Sequence, residues 1–200
     1  MEGAADQRPG DVEDRHRADV PLGRAAWAWP IWSPRGPKPC NDRDMPEFTV
    51  RPGRDDDRLL LARLFAAVAE ERDGIASEPP IDVEARAASW RLDGTLVAVA
   101  GEEPVGSIHV EVSRHGFGEF GMAVAREWRG RGVGAALVQA AIDWSREQGL
   151  HKLSLEVFPH NEAAIGLYRK FGFVEEGRLV KQYRRSSGEL WDAVQMGLLL

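Results

Sequence analysis

The stretch Arg129-Gly130-Arg131-Gly132-Val133-Gly134-Ala135 lies between an extended apolar run and a long amphipathic helix pattern. Glycines at alternate positions let the backbone turn tightly and approach a ligand without Cβ obstruction. The helix behind them points its unpaired N–H groups and the positive end of its dipole back at that ligand. With two flanking arginines, such a turn suits phosphate, and a pyrophosphate above all. A glycine-rich turn can also simply start a helix. The G-x-G-x-x-G dinucleotide spacing is absent, because Gly130, Gly132 and Gly134 read G-x-G-x-G, and no Gly-Lys-Ser/Thr closes a Walker loop. What remains is the pattern Arg129-x-x-Gly132-x-Gly134.

The 200 residues, 43% of them apolar, suffice for one sizeable core. No run reaches the length of a membrane span and the start lacks an apolar signal core, so a cytoplasmic location is expected. The single cysteine, Cys40, excludes an intramolecular disulfide and a cysteine-based metal cluster. His16, His109, His115, His151 and His160 form no H-E-x-x-H or close liganding pair, and no metal is expected. A net charge of −6 argues against nonspecific nucleic-acid binding and suits an amine-bearing partner.

Residues 1–44 differ from the rest: prolines 9, 21, 30, 34, 37 and 39 fall there, among mixed charges with no sustained apolar period. A disordered N-terminal extension is expected over 1–44, with Met45 as an alternative translation start and a folded domain over 45–200. Trp27, Trp29 and Trp32 are either incidental to that tail or a docking element. A chain beginning at Met45 is expected to fold and keep full activity.

From Glu47 the pattern becomes regular. Phe48–Val50 reads as a strand, Leu59–Glu71 as a helix ended by Asp73-Gly74, and Asp82 as the cap of a short helix through Trp90. Thr95–Ala100 and Val105–Val112 form a hairpin pattern around Gly101–Pro104, and Phe117–Val124 is a strand entering the glycine turn. The next helix presents Val133, Leu137, Ala141 and Trp144 on one face and stops at Gly149. Leu153–Phe158 alternates as a strand. Asn161 caps a helix that runs through Tyr168 to Gly172, with Glu162 at the favourable end of its dipole. Val174–Tyr183 and Leu190–Leu199 close the chain as an antiparallel pair around Ser186-Ser187-Gly188. This order predicts an α/β fold, a single domain with a mixed central sheet flanked by helices. The apolar end, Met196 to Leu200, could support a homodimer.

Within Leu155 to Phe173, L-E-V is followed by Asn161 and then by A-A-I-x-L-Y ending at Tyr168. Together with Arg129-x-x-Gly132-x-Gly134, this segment resembles the two signatures of the GCN5-related N-acetyltransferase (GNAT) superfamily, and within it the ribosomal-protein alanine N-acetyltransferases. The stretch from Tyr183 through Asp192-Ala193 to Met196 is similar to the same branch. The resemblance covers about residues 47–199 and implies a GNAT-like domain that moves an acetyl group from acetyl-CoA to a primary amine, directly, in a ternary complex. That transfer needs a base for the amine proton, a donor for the developing oxyanion and an acid for the leaving thiolate.

Carried over by position, the resemblance gives the amides of Arg131, Gly132, Val133, Gly134 and Ala135, in the turn opened by Gly130, to the CoA pyrophosphate, with Arg129 and Arg131 as ion partners. Met122, Ala123 and Val124 would run beside the pantetheine arm. Asn161 would bind the cofactor, Tyr168 would protonate the thiolate and Glu156 would be the general base. Ordinary roles compete: a helix cap for Asn161, a core-edge aromatic for Tyr168, a solvent-facing carboxylate for Glu156. Glu119, on the strand entering the turn, is the rival base, and Glu111 a third. His160 reads as a loop residue near the site. Lys181, Arg184 and Arg185 read as a solvated edge that discourages strand pairing, or as contacts to an acidic acceptor or to phosphates. The acceptor is a protein N-terminus or lysine, or else an amino acid or other small amine, framed by Asp73–Pro80 and Ser186–Gly188. A non-catalytic acyl-CoA sensor is the remaining alternative.

Overall fold

A computed structural model describes residues 47–200, and the expectations for residues 1–44 and Met45 lie outside that range. Seven strands form one sheet: β1 (Thr49–Pro52), β2 (Thr95–Ala100), β3 (Glu103–Val112), β4 (Phe117–Val124), β5 (Lys152–Val157), β6 (Val174–Arg184) and β7 (Leu190–Leu199). Their spatial order is β1-β2-β3-β4-β5-β7-β6. Every pairing is antiparallel except β4 with β5. That parallel contact is short: Phe117, Gly118 and Glu119 pair with Lys152, Leu153 and Ser154, and beyond them the strands part.

Gly118 permits the contact, because a Cβ there would sit 2.7 Å from Val110 Cγ1 and 2.9 Å from Leu153 Cδ2. Where the strands diverge, Phe120, Tyr168 and Phe173 meet in an aromatic trio with centroids 5.7–5.9 Å apart.

Four helices cover the sheet: α1 (Arg58–Glu70), α2 (Val83–Ala88), α3 (Val133–Glu147) and α4 (Glu162–Lys170). On one face Val133, Leu137 and Ala141 of α3 and Tyr168 of α4 pack on Ile108, Phe120, Leu153, Leu155 and Met196. On the other, Leu61 and Ala62 of α1 pack on Val97, Val99 and Trp90, while Leu64 and Val68 pack on Ala123. Strands β2 and β3 are thus buried on both sides, as their near-continuous apolar runs require, whereas no residue of β6 is buried. Asp57 anchors the start of α1, accepting from Arg51 at 2.6 and 2.8 Å and from the Arg54 amide at 2.7 Å. Burial pushes its carboxyl up, but these donors outweigh that and hold it below the usual range.

The predicted elements are present with small shifts. The second helix ends at Ala88 rather than Trp90, because Trp90 turns in to stack edge-on against Phe65. The β2–β3 turn tightens to Gly101-Glu102, with Gly101 at φ 62°. The terminal apolar strand is not an edge: β7 lies between β5 and β6, Met196 is buried, and Leu199 is left exposed. Its place inside the sheet accounts for most of that apolar run without a second copy.

Candidate active site

Gly130 and Gly132 adopt φ of 73° and 87°, a region that side chains with a Cβ enter only under strain. Gly132 caps α3, whose first backbone bond runs from the Ala136 amide to the Gly132 carbonyl at 3.0 Å. The amides of Val133, Gly134 and Ala135 therefore have no partner within the helix. A Cβ on Gly130 or Gly132 would meet nothing within 4 Å, so the turn faces open space. Open space lined by free amides at the positive end of a 15-residue helix fits a phosphate. Gly134 does something else: a Cβ there would lie 3.1 Å from Leu167 Cδ2, so the glycine lets α4 approach α3.

The two arginines divide. Arg129 donates to the Glu71 carboxylate at 2.7 and 2.9 Å and to the Val124 carbonyl at 3.0 Å. Its side chain ties the turn to the end of α1. Arg131 is exposed, its guanidinium 5.4 Å from the Trp128 ring, and it remains the cation of the turn.

Beyond Glu119, β4 is paired only with β3, through Met122↔Ile108, Ala123↔Ser107 and Val124↔Gly106. The β5-facing edge of Met122, Ala123 and Val124 has no strand partner, so the parting of β4 from β5 opens a slot lined by backbone. Met122 faces α3, its Cε 3.6 Å from a Cβ built on Gly134, while Ala123 packs under α1.

Asn161 caps α4, accepting from the Ala164 amide at 3.1 Å. Tyr168, one α4 turn beyond Ala164, is buried in the aromatic trio, and its hydroxyl makes no hydrogen bond to another described residue. Burial pushes its phenol up to about 12.

Glu156 sits between the buried Leu155 and Val157 and faces the opposite side of the sheet from Tyr168. The Tyr183 hydroxyl donates to Glu156 Oε2 at 2.7 Å. Burial first, then this bond and the charges of Glu156 and Glu119, push Tyr183 up to about 12. Glu119 therefore shares the neighbourhood, exposed and in register with Ser154 at the last paired step. Glu111, directly across β3 from Glu119, is instead engaged by Arg91 and lies 3.6 Å from His109. A cavity of about 40 Å³ is lined by Ala76, Glu156, Val157, Phe158, Tyr183 and Ala193.

Its rim is a clasp between the loop after α1 and the β6–β7 turn. Arg185 is 4% exposed and donates to the carbonyls of Arg72 and Ala76 at 3.1 and 3.0 Å. Its guanidinium lies 4.4 Å from the Trp191 ring and 3.5 Å from Glu78. Glu78 in turn accepts from the Ser186 amide at 2.6 Å, and His160 pairs with Asp73 at 2.8 Å. Arg185 is thus buried and structural, neither a solvated edge nor a free cation. The two segments expected to frame an acceptor are joined to each other across it. Sequence reasoning missed Tyr183 as a partner of Glu156. Its signal was present but disguised, since alternation gives the face of Tyr183 while two extra residues in β6 shift where along β7 it stands. Among the described residues no group of three or more His, Cys, Asp or Glu is placed to hold a metal, and no helix is long and apolar enough to cross a membrane.

Mycothiol acetyltransferase of Paenarthrobacter aurescens (strain TC1) is 38% identical over 132 residues, 62% of this chain and 40% of that protein. The L-amino acid N-acetyltransferase AaaT of Escherichia coli (strain K12) is 35% identical over 109 residues, 50% of this chain and 65% of that protein. The chain therefore spans less than two thirds of either relative. The crystal structure of a ribosomal-protein-alanine N-acetyltransferase from Brucella melitensis superposes with a TM-score of 0.68 at 27% identity, covering 76% of this chain and 99% of that one. The cradle, the slot and the capped α4 all fall within or beside residues 61–173, which match the Acetyltransferase (GNAT) family, and the chain belongs to that family.

Proposed function

We propose that this protein is an acetyl-CoA-dependent N-acetyltransferase acting on a slender primary amine by direct transfer. The observation that carries the reading is the slot between β4 and β5. It joins the glycine cradle and Tyr168 on one face of the sheet to Glu156 on the other, so donor and acceptor can meet through it. Acetyl-CoA supplies an activated thioester, and no covalent enzyme intermediate is needed.

The residues divide the work. The amides of Val133–Ala135, with Arg131, hold the pyrophosphate, and the β5-facing edge of Met122–Val124, whose Val124 carbonyl is taken by Arg129, lies along the pantetheine and offers its amides to the thioester carbonyl. Asn161 keeps the start of α4 beside that arm. Glu156, at the slot, accepts the amine proton and Glu119 stands behind it as an auxiliary charge. Tyr168 acts as a hydrogen-bond donor to the departing sulfur. A free thiol ionises near 8.5, so full transfer from a phenol at about 12 is uphill by roughly 3 to 4 pK units.

The closed rim favours an α-amine, either the peptide N-terminus that the ribosomal-branch resemblance implies or a free amino acid, over a lysine on a folded surface. The test is CoA-thiol release at fixed acetyl-CoA with tetrapeptides, free amino acids, small amines and a lysine-rich folded protein. Turnover of α-amines supports the reading. Preference for the folded protein overturns the acceptor assignment, and acetyl-CoA binding without turnover of any amine supports the sensor alternative instead.

A further inference from the structure

We propose that Tyr183 is a positioning residue for Glu156, and that a two-residue bulge in β6, pinned by Asp192, puts it there. This rests on the reading in which Glu156 takes the amine proton.

Register carries the argument. Leu179 pairs with Ala193 and Tyr183 with Trp191, so β6 spends four residues where β7 spends two. A regular ladder would place Lys181 opposite Trp191. The bulge substitutes Tyr183 at that position, and because two residues are added, the sheet face is kept. Bulges re-aim side chains in this way beside functional sites.

The bulge is held by specific contacts. Lys181 takes a left-handed φ of 55°, unusual for a residue with a side chain. Its amide donates to Asp192 Oδ1 at 2.8 Å, while Arg178 Nε donates to Asp192 Oδ2 at 2.9 Å. Asp192 therefore holds the strand just before the extra residues and within them. Downstream, the Tyr183 ring stands edge-on to Phe158 at 5.5 Å and its hydroxyl reaches Glu156 Oε2 at 2.7 Å.

The chemical consequence concerns which groups face Glu156. In a regular ladder Lys181 would sit at this position, and a cation beside the carboxylate would lower its basicity. Tyr183 instead contributes one neutral donor to Oε2 and leaves Oε1 for the amine. The other charged groups around the pair are Glu119 on β4, Arg185 at the β6–β7 turn, and His160 with Asp73 at the rim.

The chain has two tyrosines, so Tyr168→Phe leaves Tyr183 as the sole phenol and its ionisation can be followed by tyrosinate absorbance. Adding Glu156→Gln or Asp192→Ala to that background is expected to lower the midpoint by about one pH unit, as loss of a neighbouring carboxylate or of its contact does. An unmoved midpoint in both variants overturns the proposal without any acceptor being required. With the amine that the acceptor panel identifies, Tyr183→Phe is expected to lower kcat about tenfold with the acetyl-CoA KM unchanged. Asp192→Ala is expected to match it, and the double variant to lose no more than either single one. Wild-type turnover in Tyr183→Phe beside an impaired Glu156→Gln overturns the positioning role alone. Wild-type turnover in Glu156→Gln overturns the base assignment instead, and the absorbance titration still decides the contact.

Discussion

Replacing Arg185 with methionine tests whether the rim clasp is a structural element or an ornament of the surface. The arginine is 4% exposed and its guanidinium is shared among three segments. Two hydrogen bonds reach the Arg72 and Ala76 carbonyls at 3.1 and 3.0 Å, and a charged donor contributes about 1.5 kcal/mol to each. A third, to the Ile75 carbonyl at 3.4 Å, is at the limit of a useful contact. The Trp191 face at 4.4 Å adds about 1 kcal/mol. Against these stands relief from burying a cation, about 1–2 kcal/mol here because the site reaches solvent at its edge. Glu78 keeps the Ser186 amide and hydroxyl after the substitution, so it is not left as an orphan charge. The net loss is about 2–3 kcal/mol, and for a domain of this size a melting temperature lower by roughly 5–10 °C. Thermal unfolding by circular dichroism measures it, and steady-state kinetics adds the second half. The KM for the acceptor is expected to rise several-fold while the KM for acetyl-CoA is unchanged, because the clasp touches only the acceptor side. A melting temperature within ~2 °C of wild type, or a selective rise in the acetyl-CoA KM, refutes the reasoning.

Three other outcomes follow from single residues. Gly132→Ala forces a Cβ into φ 87° with nothing to clash against, so it costs about 1–2 kcal/mol of backbone strain; calorimetric titration should find acetyl-CoA binding weakened roughly tenfold. Tyr168 ionises at about 12 when folded but near 10 when unfolded, so its contribution is complete below pH 10 and lost as the pH rises toward 12. Urea unfolding at pH 8 and pH 11.5 should therefore show wild type losing about 2 kcal/mol more than Tyr168→Phe. Ser145 is fully buried in α3 with no partner for its hydroxyl among the described residues, so Ser145→Ala should stabilise the protein by about 1 kcal/mol in the same assay.

The elements were legible because their periods are simple. Apolar spacing at Leu61, Leu64 and Val68, alternation through Leu153, Leu155 and Val157, and the caps at Asp82 and Asn161 each encode local geometry that tertiary contacts reinforce. Gly118 illustrates the opposite case. In the sequence it is one more glycine in a strand, and only the packing of Val110, Leu150 and Leu153 against it reveals why no other residue fits. The insertion of β7 between β5 and β6 is also invisible locally, since chain order and spatial order disagree there. Arg185 was misread for a related reason. Three cations within five residues, Lys181, Arg184 and Arg185, look like a solvated edge until the carbonyls of a loop 110 residues away fold over one of them. Arg129 stands in the motif, but its contact with Glu71 could not be read there, because Glu71 sits at the end of a helix that the motif does not include.

Parity explains why one carboxylate is better placed than the other. Glu119 and Glu156 share a face, since Glu119 pairs in register with Ser154 and Glu156 lies two residues farther along β5. Those two residues matter. Glu119 belongs to the last step where β4 and β5 are still joined, so backbone hydrogen bonding closes the sheet beside it. Glu156 lies past that step, where β5 keeps only its β7 neighbour, Gln195, and the slot is open on its β4 side. In the proposed reading, an amine arriving on this face and an acetyl group held on the other meet past the point of parting. A base at Glu156 stands at that passage, while Glu119 is set back by one closed step. From there Glu119 can still act through its charge, drawing an ammonium toward the face and, with Glu156, keeping Tyr183 protonated and donating.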